Sequence, residues 1–292
     1  MTTIHFALLR GVCQTPAYAA YQRGMFAAEG LDVELHVAPT AWMVPEQLLN
    51  GDRHFAVIPW TRVAVADKGE APMKLLCGSG LEEAAIVVRK GLEPSDVRSI
   101  GIPREGGMKD LTAMALIDSL GWSHVERLRF PSGDGAIIAF FGQGVDAASM
   151  VEPYATMMEI LGVGTAIRRT GDIWPGAPGC SLAASAAFID REPDVVGRVV
   201  RAYADAVAHV RMDPSDAATC AAPYIGVNAR FISRALHVNP PAIDGIRNLA
   251  TMDRILMFMK TLGYIDRIPR NFADLRFLDA VEVDRAAIAK PA

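Results

Sequence analysis

No stretch of eighteen uninterrupted apolar residues occurs anywhere in the 292-residue chain, so no segment is expected to cross a bilayer as a helix. Charge of one sign is equally scarce. The 29 Lys and Arg and 33 Asp and Glu are interspersed, with no basic run able to neutralise several phosphates. Nucleic acid is therefore not an expected partner. The four cysteines, Cys13, Cys77, Cys180 and Cys220, form no CxxC pair and have no histidine at ligand spacing. That removes the sequence basis for a structural zinc site and suits a reduced compartment. No metal and no cofactor are expected on these grounds. The opening residues Met1-Thr2-Thr3-Ile4-His5 enter an apolar segment without a basic stretch, an apolar leader core or a small-residue cleavage site. A cytoplasmic location is expected for the chain as it stands, and a periplasmic one if a leader has been removed.

What is present is ample apolar material. With 51% apolar and 21% charged residues, the chain can bury more than one small core, and two compact lobes are expected. Strands are predicted over residues 4–9, 31–37, 54–58 and 73–77, with helices over 16–29, 44–50 and 61–68 between them. Gly30 and Gly51 stop two of those helices. A second unit follows, with strands over 86–88, 99–102, 125–130 and 147–151 and helices over 108–120 and 136–141. From residue 183 the pattern turns helical, over 193–211, 216–224, 229–236, 241–259 and 274–277. The alternation predicts an α/β fold of two lobes, each a mostly parallel sheet flanked by helices. Lobe I would comprise residues 1–82 plus 183–292, with the helical tail packing back on it, and lobe II residues 83–182.

Five short segments carry a family resemblance: Gly24-Met25-Phe26-Ala27-Ala28-Glu29-Gly30-Leu31-Asp32-Val33-Glu34-Leu35, Gly51-Asp52-Arg53-His54-Phe55-Ala56-Val57, Gly101-Ile102-Pro103, Gly144-Val145-Asp146-Ala147 and Glu152-Pro153-Tyr154. In this order they resemble type II periplasmic binding proteins of the nitrate, sulfonate, taurine and thiamine-pyrimidine group. The likeness covers nearly the whole chain. It implies the two-lobed fold, hinge closure over a small-molecule ligand held between the lobes, and an ABC permease as partner. Enzymes on the same scaffold, a sulfinate desulfinase and a thiamine-pyrimidine synthase, imply an alternative: cytosolic C–S or C–C cleavage, desulfinase- or decarboxylase-like. The synthase's cysteine run is reduced here to Gly179-Cys180-Ser181, and Arg62 stands where its active-site histidine falls, which argues against pyrimidine synthesis. The desulfinase places a reactive cysteine in a strand-exit loop with a proline three residues on, as Cys13 and Pro16 stand here.

In open α/β sheets ligands sit beyond the carboxyl ends of the strands, so candidate site residues are sought in those loops. Trp42, Trp60 and Trp174 fall there, suited to a flat or apolar ligand body or to small cores under the loops. Arg10, Arg62 and Arg104 stand at the exits of the strands over 4–9, 54–58 and 99–102, where a guanidinium fork matches a carboxylate or sulfonate. Gln14, Thr61 and Cys180 belong to the same loops. Gly106 and Gly107 open a helix whose N-terminus would receive an anion. Cys13 lies just before a helix whose dipole would lower its pKa and produce a nucleophile, or is a buried thiol. Glu152 and Tyr154 follow a strand; Glu152 either acts on the ligand as an acid/base or caps the next helix.

Overall fold

The computed structural model describes residues 3–67 and 70–288. Ten strands form two sheets. The first contains β1 (Ile4–Leu8), β2 (Val33–Val37), β3 (Phe55–Pro59) and β4 (Met73–Gly78). The second is built from β5 (Ala84–Arg89), β6 (Ser99–Pro103), β7 (Glu126–Phe130), β8 (Ala147–Val151) and β9 (Gly164–Arg169). The chain then returns to the first sheet as β10 (Cys180–Ser185). The orders are β2-β1-β3-β10-β4 and β7-β6-β8-β5-β9.

Four strands of each sheet run the same way and one runs against them. The reversed strands are β10, antiparallel to β3 and β4, and β5, antiparallel to β8 and β9. Both are the strands by which the chain enters a sheet after crossing over. It leaves β4 at the cleft edge and starts β5 from that edge; it leaves β9 there and starts β10 likewise. The cleft is therefore rimmed by the carboxyl ends of eight strands and the amino ends of two.

Alternation along the strands sorts side chains onto two helix-covered faces. Phe6, Leu8, Phe55, Val57, Leu182 and Ala184 point into one core with the Thr15–Gln22 and Pro193–Met212 helices; Ala7, Ala56, Ile58 and Ala183 point into another under the Leu249–Thr261 helix. In the second sheet Ile86 and Val88 face the Met108–Ser119 helix, while Ala85 and Val87 face Phe140, Tyr154 and Met158. Each large apolar side chain so buried contributes about 1.5–3 kcal/mol.

Some predicted elements change. The helix expected over 16–29 is two, Thr15–Gln22 and Met25–Ala28, because Gly24 takes a left-handed φ of 69° between them. The helix expected over 61–68 is Trp60–Ala66, the fourth of the first unit, and Lys68 lies outside the described residues. The helix expected over 241–259 begins as a 3-10 turn, Ile243–Arg247, before Leu249–Thr261, and the last helix runs Arg276–Ile288. Neither β9 nor β10 is among the predicted strands, and β10 replaces the start of the helical region expected from residue 183. No described helix is long and apolar enough to cross a membrane.

Candidate functional site

The two lobes face each other across a cleft of about 100 Å³. Its walls come from the strand exits of the first sheet and from the Arg104–Met108 and Pro131–Asp134 loops of the second. The lobes touch at the back: the Val12 N–H donates to the Glu152 carbonyl at 2.8 Å, and the Thr61 hydroxyl to the Gly106 carbonyl at 2.9 Å. At the mouth, Arg10 pairs with Asp134 at 3.2 Å, and the Arg104 guanidinium lies 4.8 Å over the Trp42 ring.

Arg62 lies in the first turn of the Trp60–Ala66 helix and crosses to the opposite lobe. Its guanidinium rests against Gly106 and Gly107, where a Cβ on Gly106 would lie 3.4 Å from Nη1. A side chain there is doubly disfavoured, since Gly106 has φ +85°. Arg62 makes one long contact, Nη2 to the Arg104 carbonyl at 3.5 Å, and its Nε is buried without a partner. Among the described residues it has no carboxylate partner. Burial pushes its pKa down, with Arg104 adding to the effect and Asp110 opposing it.

Of the other expected residues, Arg10, Cys13, Gln14, Trp42, Arg104, Gly107 and Cys180 line the cleft. Thr61 and Gly106 are buried at the lobe contact. Four expectations need correction. Trp60 is fully buried beneath the cleft and stacks on Phe272, because the first turn of its helix turns this ring toward the sheet. Trp174 is folded into the same core against Phe258. Tyr154 packs with Phe140 and Met158 below β8. Glu152 is 1% exposed, with its carboxylate accepting from Arg169 at 2.7 Å and from the Thr156 N–H at 3.0 Å. It caps and anchors the Tyr154–Ile160 helix and does not line the cleft.

Of the two readings of Cys13, the structure matches the buried thiol. It sits in the 3-10 turn Val12–Gln14 and is 5% exposed. Burial pushes its thiol pKa up, overriding any lowering by the helix that follows. Its sulfur accepts from Gln14 Nε2 at 3.2 Å, and Gln14 Oε1 in turn accepts from the Leu9 N–H at 3.1 Å.

Sequence reasoning missed Glu83, Lys109 and the Pro131–Asp134 loop of this wall. Glu83, just before β5, lines the cleft at 3% exposure and accepts from the Cys180 N–H at 2.5 Å. Burial pushes its carboxyl pKa up, although that backbone hydrogen bond and the cysteine thiols pull it back. Lys109 occupies the first turn of the Met108–Ser119 helix, half-buried in the cleft wall, with burial pushing its ammonium pKa down. Its position in the first turn of a helix at a strand exit was a signal that could have been read. Glu83 gave none, because it precedes a strand.

Solved structures share this architecture. The ligand-binding component of an ABC-type import system from Staphylococcus aureus, with zinc bound, has a TM-score of 0.83 at 15% identity, covering 96% of this chain and 99% of that one. The alkanesulfonate-binding protein SsuA from Xanthomonas axonopodis pv. citri, bound to MOPS, has a TM-score of 0.75 at 13% identity, covering 92% and 95%. A DSZB mutant in complex with biphenyl-2-sulfinic acid has a TM-score of 0.71 at 16% identity, covering 97% and 99%. At such identities the likeness establishes the two-lobed periplasmic-binding fold. No curated protein matches the chain in sequence. The NMT1-like family model matches residues 1–225, more than three quarters of the sequence, and the chain belongs to the NMT1-like family.

Proposed function

We propose that the chain binds a small organic anion, a sulfonate, sulfinate or carboxylate with an apolar or aromatic body, in the cleft between its lobes. The observation that carries this reading is the pair of cations Arg62 and Lys109. Both face the cleft, and neither forms a direct salt bridge with a carboxylate among the described residues, although Asp110 acts on Arg62 and Asp134 and Glu83 act on Lys109 at longer range. A partly desolvated cation without a contacting counter-ion is costly, and a bound anion supplies that contact. The first-turn N–H groups of the Met108–Ser119 helix, which a helix cannot satisfy internally, add to the same field. Pro39, Pro59, Pro103, Met108 and the half-exposed Trp42 offer apolar surface for the ligand body. The sulfonate and sulfinate held by two of the fold relatives are of this class, and an ABC permease is the partner such a role requires. A lyase acting through Glu152 loses support, because that carboxylate is committed to Arg169 and Thr156.

Calorimetric titration with benzenesulfonate, benzenesulfinate and benzoate tests the reading. At least one is expected to bind, and Arg62→Ala to weaken it by about 2–5 kcal/mol, the range for a desolvated charge pair. Failure of all three to bind at millimolar concentration, or equal binding by the variant, would count against it.

A further inference from the structure

Three metal-type donors converge on the cleft floor from remote parts of the chain. They are the sulfurs of Cys13 and Cys180 and a carboxylate oxygen of Glu83, all within 4.8 Å of one another. The three residues are 5%, 4% and 3% exposed, and all line the cleft. With both thiols protonated the cluster is held by hydrogen bonds to the one carboxylate; with both deprotonated the same three atoms offer two thiolates and a carboxylate to a single cation.

The surroundings hold this arrangement in place. The Ser79 hydroxyl donates to the Cys13 carbonyl. The Cys180 N–H fixes one oxygen of Glu83, and the Gln14 amide donates to the Cys13 sulfur, the kind of outer contact that orients a thiolate ligand. Two glycines leave room for the carboxylate. A Cβ on Gly80 would stand 2.9 Å from Glu83 Oε1 and 3.2 Å from Cys13 Cβ, and one on Gly179 would collide with the Glu83 carboxyl carbon.

We propose that Cys13, Cys180 and Glu83 bind one divalent transition-metal ion of the zinc class, with its fourth coordination position open to the cleft. Metal–sulfur bonds of about 2.3 Å and metal–oxygen bonds of about 2.0–2.2 Å set tetrahedral donor separations of about 3.5–3.8 Å. The three donors lie within 4.8 Å of one another, so binding requires no pair to close by more than about 1.3 Å. Two soft sulfurs with one carboxylate favour zinc-like ions over magnesium or calcium. Charge also balances: two thiolates and a carboxylate against a divalent ion leave one negative charge, beside the ammonium of Lys109, whose field is coupled to all three donors. Each thiol gives up its proton as its metal–sulfur bond forms.

The test is a titration of the reduced full chain with Co2+, followed by displacement with Zn2+, in buffer free of organic anions. Its outcome is thereby independent of the anion reading above. Thiolate-to-cobalt charge transfer saturating at one equivalent is expected. Cys13→Ser and Cys180→Ser should each weaken zinc binding by at least the roughly 10–100-fold typical of losing even an outer-sphere partner. Glu83→Gln, which keeps an oxygen for the Cys180 N–H, should weaken it as well and serves if a serine variant fails to fold. Cys77→Ser and Cys220→Ser should bind like the parent. Absence of the charge-transfer band, full retention of binding by Cys180→Ser or Glu83→Gln, or a Cys13–Cys180 disulfide in the freshly isolated protein would each overturn the proposal.

Discussion

Arg62 and Lys109 reach the same cleft from opposite lobes, each from the first turn of a helix that follows a strand. Burial lowers the pKa of both, but with different consequences. An arginine so shifted stays charged at any working pH, whereas a lysine below its ordinary value of about 10.4 begins to lose its proton in an accessible range. An anion binds the ammonium and not the amine, so affinity should fall as pH rises through the depressed Lys109 pKa. For benzenesulfonate the decline is expected to begin below the pH at which an ordinary lysine titrates, and Lys109→Arg should abolish it. Calorimetry across pH 6 to about 10 reads this directly; a flat wild-type profile, or an unchanged decline in the variant, would assign the cleft charge elsewhere. Arg10, Arg62 and Arg104 were legible in the sequence because residue type and strand-exit position coincide. Trp60 and Trp174 were misread because a loop position does not fix which way a ring points, and here both turn into the core. Glu83 escaped because the search followed the carboxyl ends of strands, while Glu83 precedes a strand that runs backwards.

At the scale of elements, β10 and β9 account for most of what the sequence hid. β10 reads Cys-Ser-Leu-Ala-Ala-Ser, almost without the β-branched and aromatic residues that mark a strand, because it lies between β3 and β4 with helix-covered cores on both faces. β9 reads Gly-Thr-Ala-Ile-Arg-Arg, an edge strand with a single large apolar residue. The first eight strands were legible because their apolar runs are bounded by glycine and proline. The start of β10 also places Cys180, and Gly179 before it makes room for Glu83. Gly179→Ala should therefore force the Glu83 carboxyl aside and destabilise the fold by about 1–3 kcal/mol, the usual range for overpacking. Urea denaturation measures the change. An unaltered midpoint would mean that the carboxyl has room to move and that the glycine is not needed there.

At the scale of the whole molecule, the question is what holds the lobes together across the cleft. The back of the cleft is fastened by the backbone bond from Val12 to Glu152 and by Thr61 on Gly106. Nearer the mouth, among the described residues, the lobes are bridged by Arg10–Asp134, with side chains 50% and 41% exposed, and by Arg104 over the exposed Trp42 ring, while Arg129 also donates across to the Tyr264 hydroxyl at 3.2 Å. An exposed ion pair contributes about 0–1 kcal/mol and an exposed cation–π contact about 0.5–1 kcal/mol, so the two together bias closure by at most about 2 kcal/mol, or roughly 30-fold. A ligand that neutralises both Arg62 and Lys109 makes differential contacts of larger size, because it touches both lobes only when they are closed. The latches should accordingly tune the unliganded equilibrium without being needed for the liganded one. An Asp134→Ala, Trp42→Ala double variant is expected to show a larger radius of gyration than the parent by small-angle X-ray scattering when ligand-free. Saturating benzenesulfonate should return it to the parent's compact value. Raising the salt concentration should loosen the ligand-free parent in the same direction, because the Arg10–Asp134 pair is exposed and screened. Identical scattering from parent and variant without ligand would show that the back contacts and the Arg129–Tyr264 bond hold the lobes shut. A variant that stays open at saturation would show that the mouth contacts, and not the buried cations, drive closure.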